Sequence, residues 1–199
     1  MATFPNSLAP SAINMGSQST TLVSKSHSGK RQARKFGTTL VTFDVSWTNL
    51  NRVQMGELWG FVQAQSGQFG VFDFFPALYR DSSNSNAPVS AIVGVIALAR
   101  QRRVQISGLP ASKTVLNAGD LIRFDNHPKA YLLAEPTVSD ASGNAVMVLT
   151  FDLLRDVPAT RVVFFKYVGV QMSLVDDAIS LNQRPPFWHD LSLKLIETI

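Results

Sequence analysis

The sequence contains no cysteine, only three glutamates and only three histidines among its 199 residues. Without cysteine, disulfides and thiolate metal ligands are excluded, and the chain fits a protein that folds in a reducing cytosol. Residues 1–14 lack the basic start and apolar core of a secretory signal. The longest apolar run, residues 89–99, is too short to cross a bilayer, which takes about 20 residues. We therefore expect neither secretion nor a membrane segment.

Charge is also scarce, since only 16% of the residues are charged while 45% are hydrophobic. Soluble proteins carry about 25% charged residues. A chain with so few charges has surface to cover, and this composition favours assembly with other subunits.

Patterns that carry catalysis or metal binding are missing as well. His27, His127 and His189 are far apart, and none has a second histidine or a carboxylate at metal-ligand spacing. There is no nucleophile elbow, phosphate-binding loop or dinucleotide fingerprint. The adjacent pair Asp176 and Asp177 lacks the further oxygen ligands of a calcium site. The sequence predicts a protein that is not an enzyme and holds no cofactor or metal.

What the chain does have is two basic clusters, within a net charge of +4. Such clusters contact phosphate or a neighbouring subunit, although most charge runs are simply solvated faces. The candidate contact residues are Lys30, Arg31, Arg34, Lys35, Arg100, Arg102 and Arg103.

The first third of the chain reads as an arm, a strand and a helix. Residues 1–35 are polar, and we expect an extended arm that is disordered until it meets a neighbour, with an edge strand at residues 17–23. Thr39 to Trp47 alternates apolar and polar residues, which predicts a half-buried antiparallel strand. A helix follows, with Asn51 as its cap and Gln54 completing a capping box. Its apolar stripe consists of Met55, Leu58, Trp59 and Val62, and the helix is expected to end at Ser66 and Gly67.

The rest of the chain is predicted to be strands and turns. Residues 69–75 read as a buried aromatic strand and residues 81–88 as a loop. Short strands at regular spacing follow between 88 and 155, which favours a small barrel or sandwich. Within them, residues 131–138 and 145–151 flank a turn and predict a hairpin. The apolar run 89–99 is expected to form a buried strand, residues 161–174 are strongly β in composition, and residues 191–199 alternate as a terminal strand tied into a sheet.

Residues 24–76 resemble the distal or minor tail proteins of tailed bacteriophages. The resemblance lies in a Ser/Gly/Arg-rich first strand, the strand TTLVTFDVSW, the helix, and the ending from Gly67 through Phe72 to Phe74-Phe75-Pro76. The terminal WHDLSLKLIETI is similar to the last strand of that family. The match covers about a quarter of the chain and consists of fold residues, with no chemistry in them.

The resemblance implies a mainly-β fold: a tail-tube-like β-sandwich or barrel with one flanking α-helix and an inserted small β-barrel-like domain. The implied organisation is an arm over 1–35, a tail-tube-like domain over 36–87 plus 156–199, and an insertion over 88–155. It implies a structural virion protein, made in the host bacterial cytoplasm, in the distal tail or baseplate ring that connects tail tube to tail tip. Its partners would be copies of itself, with a hexamer expected, the tail tube protein and the tail hub or tip proteins. Nucleic acid would only pass through the lumen, and the arm and the loop after Arg80 are expected to become ordered on an adjacent subunit.

Two alternatives remain open from the residues alone. The first is a nucleic-acid-binding β-barrel module, in which the two basic clusters hold a single strand. The second is a carbohydrate-binding tail module, which needs no paired carboxylates if it only binds.

Overall fold

The computed structural model describes residues 2–185 and 187–199 of the chain, and its fold is mainly β with curled sheets that form half-barrels. The described residues contain a single α-helix, as the sequence predicts. The N-terminal elements are β1 (Ala2–Thr3), β2 (Ala12–Lys25), β3 (Arg31–Leu50), α1 (Arg52–Ala64) and β4 (Phe72–Phe74). The central strands are β5 (Ser90–Val93), β6 (Arg103–Ser107), β7 (Thr114–Leu116), β8 (Leu121–Phe124), β9 (Ala130–Leu132), β10 (Thr137–Val138), β11 (Ala145–Val148) and β12 (Val162–Phe164). The C-terminal strands are β13 (Val170–Leu174), β14 (Leu181–Arg184) and β15 (Trp188–Glu197).

The strands form two large sheets. The first has the order β1-β4-β13-β15-β3-β2, with β14 also paired to β15. The second has the order β11-β6-β5-β12-β8-β9, and β7 and β10 pair separately. The first sheet therefore joins strands from both ends of the chain, while the second uses strands between residues 90 and 164.

The core of the first sheet follows from the alternation of β3 and β15. Val41, Phe43, Val45 and Trp47 are all buried, which confirms the predicted strand face. Leu191, Leu193 and Leu195 of β15 are buried as well, and β15 pairs antiparallel with β3. The terminal strand is thus tied into the sheet as predicted.

Helix α1 confirms its predicted start. The Asn51 side chain accepts hydrogen bonds from the backbone N–H groups of Val53 and Gln54, both at 3.0 Å. The Gln54 side chain accepts in return from the Asn51 N–H at 3.1 Å, which completes the capping box. Leu58 and Val62 are buried on the face that packs on the first sheet.

A second core lies between strands β5 to β12, and its large buried members include Phe124, Tyr131 and Phe165. The two cores adjoin, because Leu121 and Ala130 of β8 and β9 belong to the core of the first sheet. The segment 161–174 divides between them: β12 pairs in the second sheet and β13 in the first. The chain passes from the second sheet to the first near Tyr167, which adopts a φ of 56°.

Several sequence predictions differ from the structure, and two of them concern apolar segments. Only Ser90–Val93 of the run 89–99 forms a strand, and Val95, Ile96 and Leu98 are about half exposed. Phe69, expected in a buried strand, lies in a short 3-10 turn and is 89% exposed.

The predicted hairpin of residues 131–138 with 145–151 is reduced to a single bridge between Leu133 and Leu149. Strand β10 pairs with β7 and β11 pairs with β6 instead. The pairing with β6 places Ala145 and Met147 over the second core, so burial of these side chains decides the partner.

Candidate assembly surface and basic cavity

The segment predicted as an extended arm forms a long β-hairpin in this structure. Strands β2 and β3 pair antiparallel from Ala12 opposite Ser46 to Lys25 opposite Arg31. Ile13 and Met15 alternate along β2, are both half-buried and pack on the first core beside β3. The polar composition of the segment as a whole hides this short apolar pattern. The prediction of an edge strand within residues 17–23 is confirmed, since β2 ends the first sheet and, in the part of the chain that the structure describes, pairs with β3 alone.

Beyond the core the hairpin is exposed on both faces. Every residue from 16 to 37 is exposed, and we call this segment the exposed hairpin. A bulge lies near the base of the exposed hairpin, because Gln18 pairs with Leu40 while Thr20 pairs with Phe36. Gly37 adopts a φ of 67° at this bulge, a conformation that favours glycine. The extra residues bend β3 where it leaves the core.

The exposed hairpin has two unusual surface properties. It carries five basic residues and no acidic one, so its own net positive charge exceeds the net charge of +4 of the whole chain. It also exposes apolar side chains, namely Leu22 at 61%, Val23 at 45% and Phe36 at 41%. A two-stranded hairpin without a core of its own is only marginally stable in water. The segment therefore has both the free strand edge and the apolar groups that a partner would cover.

A buried ion pair holds the base of this hairpin to the rest of the molecule. The side chains of Lys129 and Glu197 are fully buried and in contact. Lys129 Nζ also donates to the Thr39 carbonyl at 2.6 Å, while Glu197 accepts from the N–H groups of Val41 at 3.0 Å and Ala130 at 2.8 Å. The pair thus joins β3, β9 and β15 at the junction of the two cores. Burial lowers the pKa of Lys129, and the charge and hydrogen bond of Glu197 oppose that shift.

A second polar cluster lies beside this pair. His127 Nε2 is 2.8 Å from the Tyr131 hydroxyl, and that oxygen accepts from the Leu154 N–H at 3.0 Å. His127 Nδ1 lies 2.6 Å from Asn126 Oδ1, which only accepts, so Nδ1 carries the proton and the tyrosine donates to Nε2. Burial, helped by the positive charges of Arg155 and Lys129, lowers the pKa of His127 to about 4. Burial also raises the pKa of Tyr131 to about 12, so both groups are neutral at pH 7.

The loop after Arg80 is fixed within its own chain. The Asp120 carboxylate accepts from the Ser83 N–H at 3.0 Å, the Ser83 hydroxyl at 2.8 Å and the Asn117 N–H at 3.0 Å, and it also accepts from the Ser82 hydroxyl. The expectation that this loop needs an adjacent subunit to become ordered is wrong for residues 82 and 83, because Asp120 already supplies their partners.

The base of the exposed hairpin lines a cavity of about 460 Å³, which we call the basic cavity. Three cations line it: Arg34 and Lys35 from β3, and Arg100 from the turn between β5 and β6. The one carboxylate in its wall, Asp152, forms an ion pair with Arg102. The remaining lining residues are Gly37, Thr38, Leu153 and Leu154.

The structure therefore brings together three of the seven predicted contact residues. Lys30 and Arg31 lie at the far end of the exposed hairpin, outside the cavity wall. Arg103 is exposed on β6. Sequence reasoning missed Lys129, and it missed that Glu197 pairs with it. The alternation of β15 could have indicated that Glu197 is buried, because it puts Glu197 on the same face as Leu193 and Leu195.

Within residues 2–185 and 187–199, no group of three or more His, Asp or Glu side chains is arranged to hold a metal ion. None of the helical segments in the described part of the chain has the length and apolar character needed to cross a membrane. Comparison with models of known protein families found no family that matches this chain, and comparison with curated proteins found no relative.

Proposed function

We propose that this chain is a structural, non-enzymatic subunit of the distal tail or baseplate ring of a bacteriophage. The observation that carries the proposal is the exposed hairpin, a segment with a free strand edge, exposed apolar groups and no core of its own. The resemblance of residues 24–76 to distal tail proteins supports the same role.

The exposed hairpin fits a surface of another copy better than it fits a second exposed hairpin. Each hairpin carries five positive charges and no negative ones, so two of them side by side would repel. A contact between two different surfaces is heterologous, and when repeated it closes into a ring or extends into a filament. A closed ring would leave no hairpin uncovered, and six copies are expected from the family resemblance.

Other exposed apolar groups provide surface for such contacts. Phe187 is 77% exposed, Leu78 is 74% exposed and Tyr167 is 66% exposed. Such groups could contribute to an interface where they adjoin the surface that a neighbouring copy covers. The polar clusters around Lys129, His127 and Asp120 have partners within the chain, so each has a structural use that needs no substrate.

Native mass spectrometry of the full chain tests the proposal. We expect a species of six times the 21.8 kDa chain mass in place of a monomer. A shortened variant replaces residues 22–34 with Asn-Gly, which joins Thr21 to Lys35 through a two-residue turn. These residues already face each other in register, so the rest of the fold is retained.

The shortened variant should be monomeric, with thermal unfolding close to that of the full chain, because the removed residues contact neither core. A variant that assembles as the full chain does would contradict the role of the exposed hairpin. A full chain that stays monomeric at micromolar concentration would contradict the ring itself.

A further inference from the structure

We propose that the basic cavity is a phosphate-binding site that takes the phosphodiester backbone of a nucleic acid. This inference goes beyond a role in tail architecture and does not depend on it. It rests on how the fold gathers cations from two segments that are 65 residues apart in the sequence, Arg34 with Lys35 and Arg100.

The fold holds Arg100 at the cavity in a conformation that arginine rarely adopts. Its φ is 68°, in the left-handed region, and its N–H donates to the Leu153 carbonyl at 2.9 Å. Residues in that region cost energy and persist only where the surroundings fix them. The turn between β5 and β6 therefore fixes the backbone of Arg100, whose side chain lines the same cavity as Arg34 and Lys35.

The positive charge of the cavity is not neutralised within the chain. Among the described residues, Arg34, Lys35 and Arg100 form no ion pair, and Asp152 is engaged by Arg102. Three cations around one cavity repel each other, and a bound anion would remove that repulsion. Arginine guanidinium groups bind phosphate with paired hydrogen bonds, so the composition of the wall suits this ligand.

A second copy of the chain has few carboxylates to offer as the anion. Of the fourteen Asp and Glu residues, eleven accept an ion pair or hydrogen bond from side-chain or backbone groups of the described residues. The other three, Asp44, Glu135 and Asp176, lie on separate segments. The carboxylates without a partner among the described residues are therefore scattered, whereas a phosphodiester chain supplies neighbouring negative charges to all three cations.

An extended polyanion fits better than a single phosphate ion. Positive charge continues from the cavity along the exposed hairpin through Arg31 and Lys30 to Lys25. A chain of phosphates bound at the cavity would run beside these residues, whereas a free phosphate would use the cavity alone.

Binding of fluorescent oligonucleotides of about 12 nucleotides, single-stranded and duplex, tests the proposal by anisotropy between about 50 and 200 mM salt. The cavity variant combines Arg34→Gln, Lys35→Gln and Arg100→Asn, since asparagine tolerates the left-handed backbone. Loss of three phosphate contacts should lower the slope of log affinity against log salt by about 2 for a single strand. At the lower salt we expect affinity to fall about ten-fold or more.

A matched control removes the same charge elsewhere, by Arg52→Gln, Lys113→Gln and Lys194→Gln, three exposed residues outside the cavity. Its salt slope should stay near that of the full chain. An equal loss in both variants would overturn the proposal, because binding would then reflect net charge alone.

Two further measurements, thermal stability in inorganic phosphate and native mass, distinguish a nucleic-acid ligand from free phosphate and from carboxylates of a neighbouring copy. Thermal stabilisation by phosphate with no binding of either oligonucleotide would overturn the nucleic-acid proposal in favour of a free-phosphate site. If the cavity variant loses self-association and the full chain binds no oligonucleotide, carboxylates of a neighbouring copy are the ligand and the proposal is overturned. A full chain that binds oligonucleotide as a monomer would support the cavity while contradicting the ring.

Discussion

The buried pair Lys129 and Glu197 yields the sharpest prediction for stability. Lys129→Met leaves the Glu197 carboxylate fully buried without its cation, and breaking a buried pair in this way costs about 3–5 kcal/mol. Glu197→Gln leaves the ammonium without its carboxylate. Val41 and Ala130 donate to different carboxylate oxygens, so the single amide oxygen can accept from only one of them, and we expect a loss of similar size.

The double variant should be more stable than either single variant. It buries no charge, and the groups left unsatisfied are neutral: one backbone N–H group and the Thr39 carbonyl, where a group of this kind costs about 1–3 kcal/mol. The coupling energy between the two positions should therefore reach about 3 kcal/mol or more.

Urea unfolding at about pH 7, followed by tryptophan fluorescence to which the buried Trp47 contributes, measures the unfolding free energies of the two single variants and the double variant. Lys194→Met serves as the control, because this lysine is exposed on the same strand and should cost no more than about 0.5 kcal/mol. Additive single-variant losses, or a loss below about 1 kcal/mol for Lys129→Met, would refute the argument that this pair joins the two cores.

Two further predictions concern pH and capping. The pKa of His127 is about 4 when folded and about 6.5 when unfolded, so the unfolded chain binds more protons between these values; stability should fall by about 3 kcal/mol as pH drops from 6.5 to 4. His127→Gln should flatten that pH dependence in urea unfolding, and an unchanged slope would contradict the assignment. Asn51→Ala removes the acceptor for Val53 and Gln54 and should cost about 1 kcal/mol, whereas Gln63→Ala near the end of the same helix should cost little; equal losses would exclude a special role for the cap.

Local patterns predicted the elements whose burial follows a simple period. The alternation of Val41 to Trp47 fixed the face of β3, and the Asn51 and Gln54 spacing fixed the start of α1, because both signals act within a few residues. Pairing between distant strands could not be predicted this way. Strand β11 joins β6 because Met147 reaches the second core, a fact that depends on the whole sheet.

The candidate site was predicted only in part, for a related reason. Composition identified the basic residues, yet only the fold places Arg100 opposite Arg34 and Lys35. The polar sequence of residues 1–35 suggested disorder, since it contains few apolar groups. The structure pairs strand β2 of this segment with β3 in a hairpin that begins on the core at Ile13 and Met15, and this long-range pairing gives no periodic apolar signal.

The central claim, that a neighbouring copy covers the exposed hairpin, is tested most directly by hydrogen exchange of residues 18–25 in the assembled and the dissociated protein. We predict strong protection of the outer-edge amides of β2 on assembly, because that edge faces no other strand of residues 2–185 and 187–199. Equally fast exchange in both forms would contradict the claim.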